Sequence, residues 1–119
     1  MNSLRNLRRA LFAVVVLAAA VPCAAFADLA EARAAMSAGH FEEAATQYRA
    51  LAEAGNVDAQ VMYSRLLLIG VGTEENRSEA ARWALQAARQ GSVPGQRTIG
   101  RFYAEGIGVS VDANQSIWW

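Results

Sequence analysis

The amino-acid sequence repeats itself at an offset of 36 residues, and this repetition limits the folds open to the chain. The segment Gly70-Val71-Gly72 returns as Gly106-Ile107-Gly108. The same offset aligns Gln60 with Gln96, Leu66 with Phe102, Asn76 with Asp112 and Trp83 with Trp119. Read backward, it aligns Ala44 with Ala80, Ala52 with Ala88 and Gly55 with Gly91. Self-similarity at a period of about 20–50 residues predicts stacked repeats, in which each unit buries its apolar face against its neighbours.

Two helices are predicted over residues 29–54. The stretch 29–38 is rich in alanine, which has the highest helix propensity, and Gly39 follows where glycine commonly ends a helix. From residue 41 onward, apolar residues recur at the helical period and form a stripe of Phe41, Ala44, Ala45, Tyr48, Leu51 and Ala52. Because only a tight turn separates the two predicted helices, the pattern indicates an antiparallel hairpin. Its loop is shorter than the loops of later units, so we expect an atypical first repeat.

The second hairpin is predicted over about residues 57–90. Its first helix is apolar almost all round, so we expect it to be sandwiched between neighbours. Gly70 and Gly72 break this helix, since they permit positive φ and let the valine between them fold under the hairpin. The second helix is expected to begin near Asn76 or Ser78, either of which is a good N-cap. Its buried stripe comprises Ala80, Trp83, Ala84, Ala87 and Ala88, and Gly91 ends it.

A third hairpin is predicted over about residues 94–119, and it is incomplete. Pro94 suits the first turn of a helix, where its missing N–H is no loss. The last helix should start at Asp112, but the sequence stops at Trp119, before the point at which the preceding unit ends. Either the chain is truncated there, or the open edge docks onto a partner. The helices of the second and third hairpins are predicted over residues 57–69, 80–90, 94–105 and 112–119.

The first 27 residues have the layout of a secretory signal peptide. A short basic region ending in Arg8-Arg9 precedes 18 uncharged residues, and the segment closes on Ala25-Phe26-Ala27, a pattern that leader peptidases cleave. A retained membrane helix or a lipid anchor on Cys23 fits less well because of Pro22, and a lone arginine pair is a weak twin-arginine signal. We expect cleavage just before Asp28. The mature chain would then be periplasmic or secreted, would meet the membrane only in transit, and would contain no cysteine.

Composition removes several classes of function. Residues 28–119 contain eight arginines against eleven acidic residues, and the chain has no lysine. Without a basic cluster the sequence does not fit nucleic-acid binding, and without lysine it does not fit a P-loop. His40 is the only histidine, so the usual transition-metal sites cannot be assembled. The pairs Glu42-Glu43 and Glu74-Glu75 are expected to be solvated, since neighbouring side chains on a helix point apart. We therefore assign no catalytic, cofactor-binding or metal-binding residue.

The glycines, alanines and tryptophan of the second unit carry a resemblance to a known family. The pattern Ala59-x3-Tyr63-Ser64-x-Leu66-Leu67-x2-Gly70-x-Gly72-Thr73-x2-Asn76-x3-Ala80-x2-Trp83-x3-Ala87-Ala88-x2-Gly91 resembles a Sel1-like repeat. The third unit matches through Gly100, Gly106, Gly108, Asp112 and Trp119, and departs from the family at Gly95 and Ser116. Residues 29–54 are similar to a tetratricopeptide repeat. The resemblance implies an all-α, right-handed solenoid of antiparallel helix hairpins, with about two and a half repeats over residues 28–119.

The resemblance also implies where a partner would bind. In such solenoids the first helix of each pair lines a concave face. The exposed positions there would be Gln60, Ser64, Arg65, Gln96, Arg97 and Arg101, which suit an extended peptide or an acidic partner. We therefore predict a non-enzymatic adaptor or regulator that binds a protein or peptide in the cell envelope, without cofactor, metal or nucleic acid. The alternatives are a cell-wall-related hydrolase, which the lack of cysteine in the mature chain disfavours, and a truncated repeat protein without independent function.

Overall fold

The computed structural model describes residues 28–110, 115, 118 and 119. This part of the chain contains no strand. Its five helices are α1 (Leu29–Ser37), α2 (Phe41–Glu53), α3 (Val57–Ile69), α4 (Arg77–Arg89) and α5 (Val93–Glu105). The predicted signal peptide and Asp112 lie outside the described residues, as does most of the predicted last helix.

Short polar side chains set where the helices begin. Asn56 Oδ1 accepts a hydrogen bond from Ala59 N at 2.9 Å, at the start of α3. Ser92 Oγ accepts one from Gly95 N at 3.0 Å, so the same device recurs 36 residues later at the start of α5. Of the two candidate caps of α4, Asn76 is the one used, since its Oδ1 accepts from the N–H of the third helical residue at 3.0 Å.

The five helices stack in chain order, as two helix pairs followed by α5. Each helix packs against the next, and α3 also touches α5, two elements further along. Contact between first helices across an intervening helix places them on the inner side of the stack. The predicted all-α solenoid of helix hairpins is therefore confirmed. None of the described helices has the length and apolar character needed to cross a membrane.

Small residues let the helices approach closely around one large aromatic pair. The predicted core alanines Ala59, Ala80, Ala87 and Ala88 are all buried, as is Trp83. The Trp83 ring meets Tyr63 edge to face, with 5.8 Å between centroids and an interplanar angle of 72°. Edge-to-face pairs add about 0.5–1.5 kcal/mol beyond the area that they bury. Trp83 is thus a packing residue between α3 and α4, as the sequence predicts.

Two apolar residues expected inside the fold lie at its surface. Phe41 is 45% exposed and Ile69 is 64% exposed. The former is the first residue of α2 and the latter is the last residue of α3. Both therefore lie at helix ends, beyond the part that neighbouring helices cover. The sequence placed Phe41 on the apolar stripe of its helix and expected the helix that ends at Ile69 to be sandwiched between neighbours, and neither expectation holds at these end positions.

Candidate functional site

Two glutamines that repeat at the 36-residue offset join successive hairpins. Gln60 is fully buried, and its Nε2 donates to the carbonyl oxygen of Ala52 at 3.2 Å. Its Oε1 accepts a hydrogen bond of 2.8 Å from Gln90 Nε2. Gln96 Nε2 donates to the carbonyl oxygen of Ala88 at 3.5 Å, which is the equivalent contact one repeat later. We call the contacts of α2 with α3 and of α4 with α5 the two seams, and each seam contains one such glutamine.

Ser64 is also fully buried and acts within a hairpin. Its Oγ donates a 2.6 Å hydrogen bond to the carbonyl oxygen of Ala80, near the start of α4. The expectation that Gln60 and Ser64 are exposed on the concave face is therefore wrong. Both lie on a face of α3 that turns toward the neighbouring helices. Their donors bond to backbone carbonyl groups there, and the Gln60 Oε1 accepts from the Gln90 side chain.

The paired glycines have a second role besides turning the chain. Gly70 and Gly72 both have φ of +69°, as their predicted role in breaking the helix requires. A Cβ on Gly72 would overlap the carbonyl group of Phe41, at the start of the preceding hairpin's second helix. A Cβ on Gly108 would overlap the carbonyl group of Arg77 in the same way. The glycine loop of each hairpin therefore rests on the hairpin before it, and only glycine leaves room for that approach.

The inner face presents arginines to solvent, whereas Gln60 and Ser64 are buried. Arg65 on α3 and Arg97 and Arg101 on α5 are exposed. They line a groove of about 470 Å³ between the two helices, which we call the arginine groove. Its complete lining is Arg65, Leu68, Ile69, Arg97, Thr98 and Arg101. Arg65 and Arg101 are 36 residues apart, so they occupy equivalent positions in successive repeats.

The arginine groove continues over α5 into a second hollow of about 420 Å³. Arg97 and Arg101 line both hollows, and Gln96, Gly100 and Trp119 line the second one only. Trp119 is partly buried and packs against the core, whereas its neighbour Trp118 is 82% exposed. Of the six predicted partner-binding residues, four thus line this continuous surface: Arg65, Gln96, Arg97 and Arg101.

The arginine groove is basic, and its described lining contains no carboxylate. Elsewhere, the Arg49 guanidinium lies 2.9 Å from the Glu53 carboxylate, and Arg77 lies 3.0 Å from Glu75. Within residues 28–110 no carboxylate lies at ion-pair distance from an arginine of the groove. A cationic surface without a carboxylate partner in this part of the chain is available to an external anion.

The other candidate groups of the sequence lie apart from the arginine groove. His40 is exposed, makes no side-chain cap, and lies 3.8 Å from the Glu43 carboxylate. Together with Glu42 and Glu74, these two residues line a separate hollow of about 990 Å³ between the α1–α2 turn and the loop after α3. No three His, Cys, Asp or Glu side chains in the described part of the chain lie close enough to hold a metal ion together.

Comparison with known proteins agrees with this architecture. The Sel1 repeat family model matches residues 57–92 and 94–119, which together make up more than half of the chain. The chain therefore belongs to the Sel1 repeat family. Proteins of this family are generally protein–protein interaction modules, and their fold is typically a non-catalytic scaffold. No curated protein matches the chain.

Two solved structures share the fold. One is a Sel1 repeat protein from Oxalobacter formigenes, with 29% identity and a TM-score of 0.64 over 66% of this chain. The other is c5321, a protective antigen of uropathogenic Escherichia coli strains with the SLR fold, with 31% identity and a TM-score of 0.64 over 66% of this chain. The chain spans only 22% and 17% of the lengths of these two structures.

Proposed function

We propose that this chain is an exported, non-enzymatic adaptor of the cell envelope that binds a protein partner on the inner face of its first helices. The observation that carries this proposal is the arginine groove, because it combines exposed positive charge with a concave position between α3 and α5. Concave surfaces made by first helices are what repeat solenoids use to hold extended partners. Family membership supports the same role in general terms.

The described polar side chains do not form a catalytic group, and we therefore propose no enzymatic activity. The one histidine is exposed at a turn, and the Glu43 carboxylate beside it is exposed as well. General acid–base catalysis needs a group held in a defined position beside the substrate. The described polar side chains that are fully buried, Gln60 and Ser64, are instead bonded to backbone or side-chain groups of the fold itself.

Site-specific photocrosslinking tests the binding face. A photoreactive amino acid placed at Thr98 lies in the arginine groove, and the same amino acid at Gln86 lies on the exposed side of α4. We expect a discrete crosslinked partner from position 98 and none from position 86 in living cells. Crosslinks of equal yield from both positions, or from position 86 alone, would contradict the proposed face.

Export is tested by the amino terminus of the protein recovered from cells. The layout of residues 1–27 supports cleavage, so we expect a mature chain beginning at Asp28 in the periplasmic or secreted fraction. A chain that keeps residue 1 and remains with the cytoplasm would contradict the export part of the proposal. The binding face would be unaffected by that result.

A further inference from the structure

We propose that the arginine groove binds an acidic segment of the partner, with carboxylates held by Arg65 and Arg101 and an aliphatic side chain placed against Leu68 and Ile69. This inference rests on the proposed function and specifies the chemistry of its partner. It commits to a peptide carrying carboxylates, because an extended chain can enter a recess between two helices and a flat bilayer surface cannot.

The charge of the arginine groove is opposite to that of the rest of the protein. Residues 28–119 carry eight arginines and eleven acidic groups, so the domain as a whole repels an acidic segment. Three of those arginines line one groove. Arg97 and Arg101 are four residues apart on α5, where like charges are neighbours and repel by a few tenths of a kcal/mol. A bound carboxylate relieves this repulsion, and the acidic remainder of the surface confines such a segment to the groove.

The repeat sets the distance between the two outer arginines. Arg65 and Arg101 occupy equivalent positions on α3 and α5, which touch each other. Packed helices lie about 8–10 Å apart, and an extended chain advances about 3.3 Å per residue. Carboxylates two residues apart share a face of the extended partner and lie about 7 Å apart, so long arginine side chains on the two helices can reach both of them. Each guanidinium can hold a carboxylate through two parallel N–H···O hydrogen bonds.

The groove also has an apolar part beside its charges. Ile69 is one helical turn from Arg65 and is largely exposed, and Leu68 is partly buried next to it. An exposed isoleucine bordered by arginines is suited to an aliphatic side chain that faces the groove together with the carboxylates, at an even spacing from them along an extended peptide. The preferred segment is therefore acidic and aliphatic rather than acidic alone.

Peptide binding measured by fluorescence anisotropy tests this chemistry. The probe is a labelled peptide that contains Glu-Ser-Glu-Ser-Leu, whose glutamate and leucine side chains share one face of the extended chain. Its control has glutamine in place of each glutamate. We expect the glutamate peptide to bind at least about tenfold more tightly in low salt, since charge-assisted hydrogen bonds are about twice as strong as neutral ones. R65Q and R101Q should each weaken binding by about fivefold, whereas R82Q and R89Q, which remove the same charge from exposed positions on α4, should change it by less than about twofold.

The outcomes separate this inference from the proposed function. Equal affinity for the two peptides, both lost in R65Q and R101Q, would overturn the acidic partner and leave the binding face intact. Equal losses in all four variants would overturn the groove as the site. Binding of anionic lipid vesicles through the same arginines, without binding of the glutamate peptide, would also overturn it. Arginine-dependent binding of the glutamate peptide supports it, even if crosslinking from position 98 finds no partner and the adaptor role fails.

Discussion

Gly72 lies against the backbone carbonyl group of Phe41, so the loop of one hairpin rests on the start of the preceding hairpin's second helix. Gly108 and Arg77 repeat this relationship 36 residues later. A loop that sequence patterns predict to be a turn is thereby also part of the contact between repeats. Substitutions in it should act on the stacking of hairpins as well as on the turn.

Replacing Gly72 with alanine should destabilise the fold by more than the cost of its backbone angle alone. Positive φ costs a residue with a Cβ about 1–2 kcal/mol, and here the Cβ would also overlap Phe41. Gly39→Ala is the matched control, because Gly39 has φ of +80° but open space around its Cβ position. Urea unfolding should show a clearly larger loss for Gly72→Ala. Equal losses would mean that the loop does not press on α2.

Gly95→Ala should also be destabilising, although alanine is the better helix former by about 1 kcal/mol. A Cβ at this position would lie 2.9 Å from the Ala87 Cβ and 2.9 Å from the Ala88 N, across the seam between α4 and α5. The change Ala87→Gly removes one of these contacts. Gly95→Ala should therefore cost less stability in an Ala87→Gly background than in the parent chain. If Gly95→Ala alone were more stable than the parent chain in urea, α4 and α5 would have to lie further apart at this seam.

Gln60→Met should lower the free energy of unfolding by about 1 kcal/mol, because it removes a buried side chain that makes two hydrogen bonds. Gln86→Met, at an exposed position of α4, is the control and should have little effect. Peptide binding by folded Gln60→Met should match that of the parent chain. Weakened peptide binding with unchanged stability would instead indicate that Gln60 contacts the peptide.

Trp83→Ala should cost about 3–5 kcal/mol, the usual loss for a large buried aromatic side chain. The change removes the edge-to-face partner of Tyr63 and leaves a cavity between α3 and α4. Trp118→Ala removes the same side chain from a position that is 82% exposed and should be nearly neutral. Thermal and urea unfolding of the two variants provide the comparison. Unaltered unfolding of Trp83→Ala would contradict its place in the core.

Stability should fall at alkaline pH because of two buried tyrosines. Burial raises the pKa of the Tyr48 and Tyr63 hydroxyl groups above their ordinary value of about 10. The folded state therefore holds these protons more tightly than the unfolded state does. The resulting stabilisation is fully present below pH 10 and is lost as the pH rises through the folded-state pKa values. Urea titrations between pH 8 and pH 11 should show less of this loss in Tyr48→Phe than in Tyr103→Phe, whose ring lies at a partly exposed position on α5.

Local sequence signals predicted the helices well. The first helix of the second hairpin was predicted over residues 57–69, and α3 spans Val57–Ile69. Asn76 was one of two candidate caps and is the one observed. Periodicity, caps and glycine breaks all act within a few residues of the structure that they determine, which is why a sequence can report them. The apolar ends Phe41 and Ile69 were mispredicted because helical periodicity does not tell how far a neighbouring helix extends.

The inner face was predicted only in part. Gln60 and Ser64 were assigned to an exposed concave face because the family resemblance implies that first helices line it. Their burial depends on carbonyl groups that lie 8 and 16 residues away in sequence, on other helices. The recurrence of Gln60 as Gln96 contained a signal of this, since positions that repeat at the period of the stack tend to be those that the stack constrains. Arg65 and Arg101 also repeat and yet are exposed, so recurrence alone does not distinguish the two roles.

The close approach at Gly95 has a consequence for the evolution of binding specificity. It fixes how near α5 lies to α4, and α5 carries two of the three arginines of the groove. A larger residue at position 95 would push the hairpins apart and change the distance between the Arg65 and Arg101 guanidinium groups. Preference for one spacing of carboxylates over another can therefore diverge through a residue that no partner touches, while every residue of the binding surface stays the same.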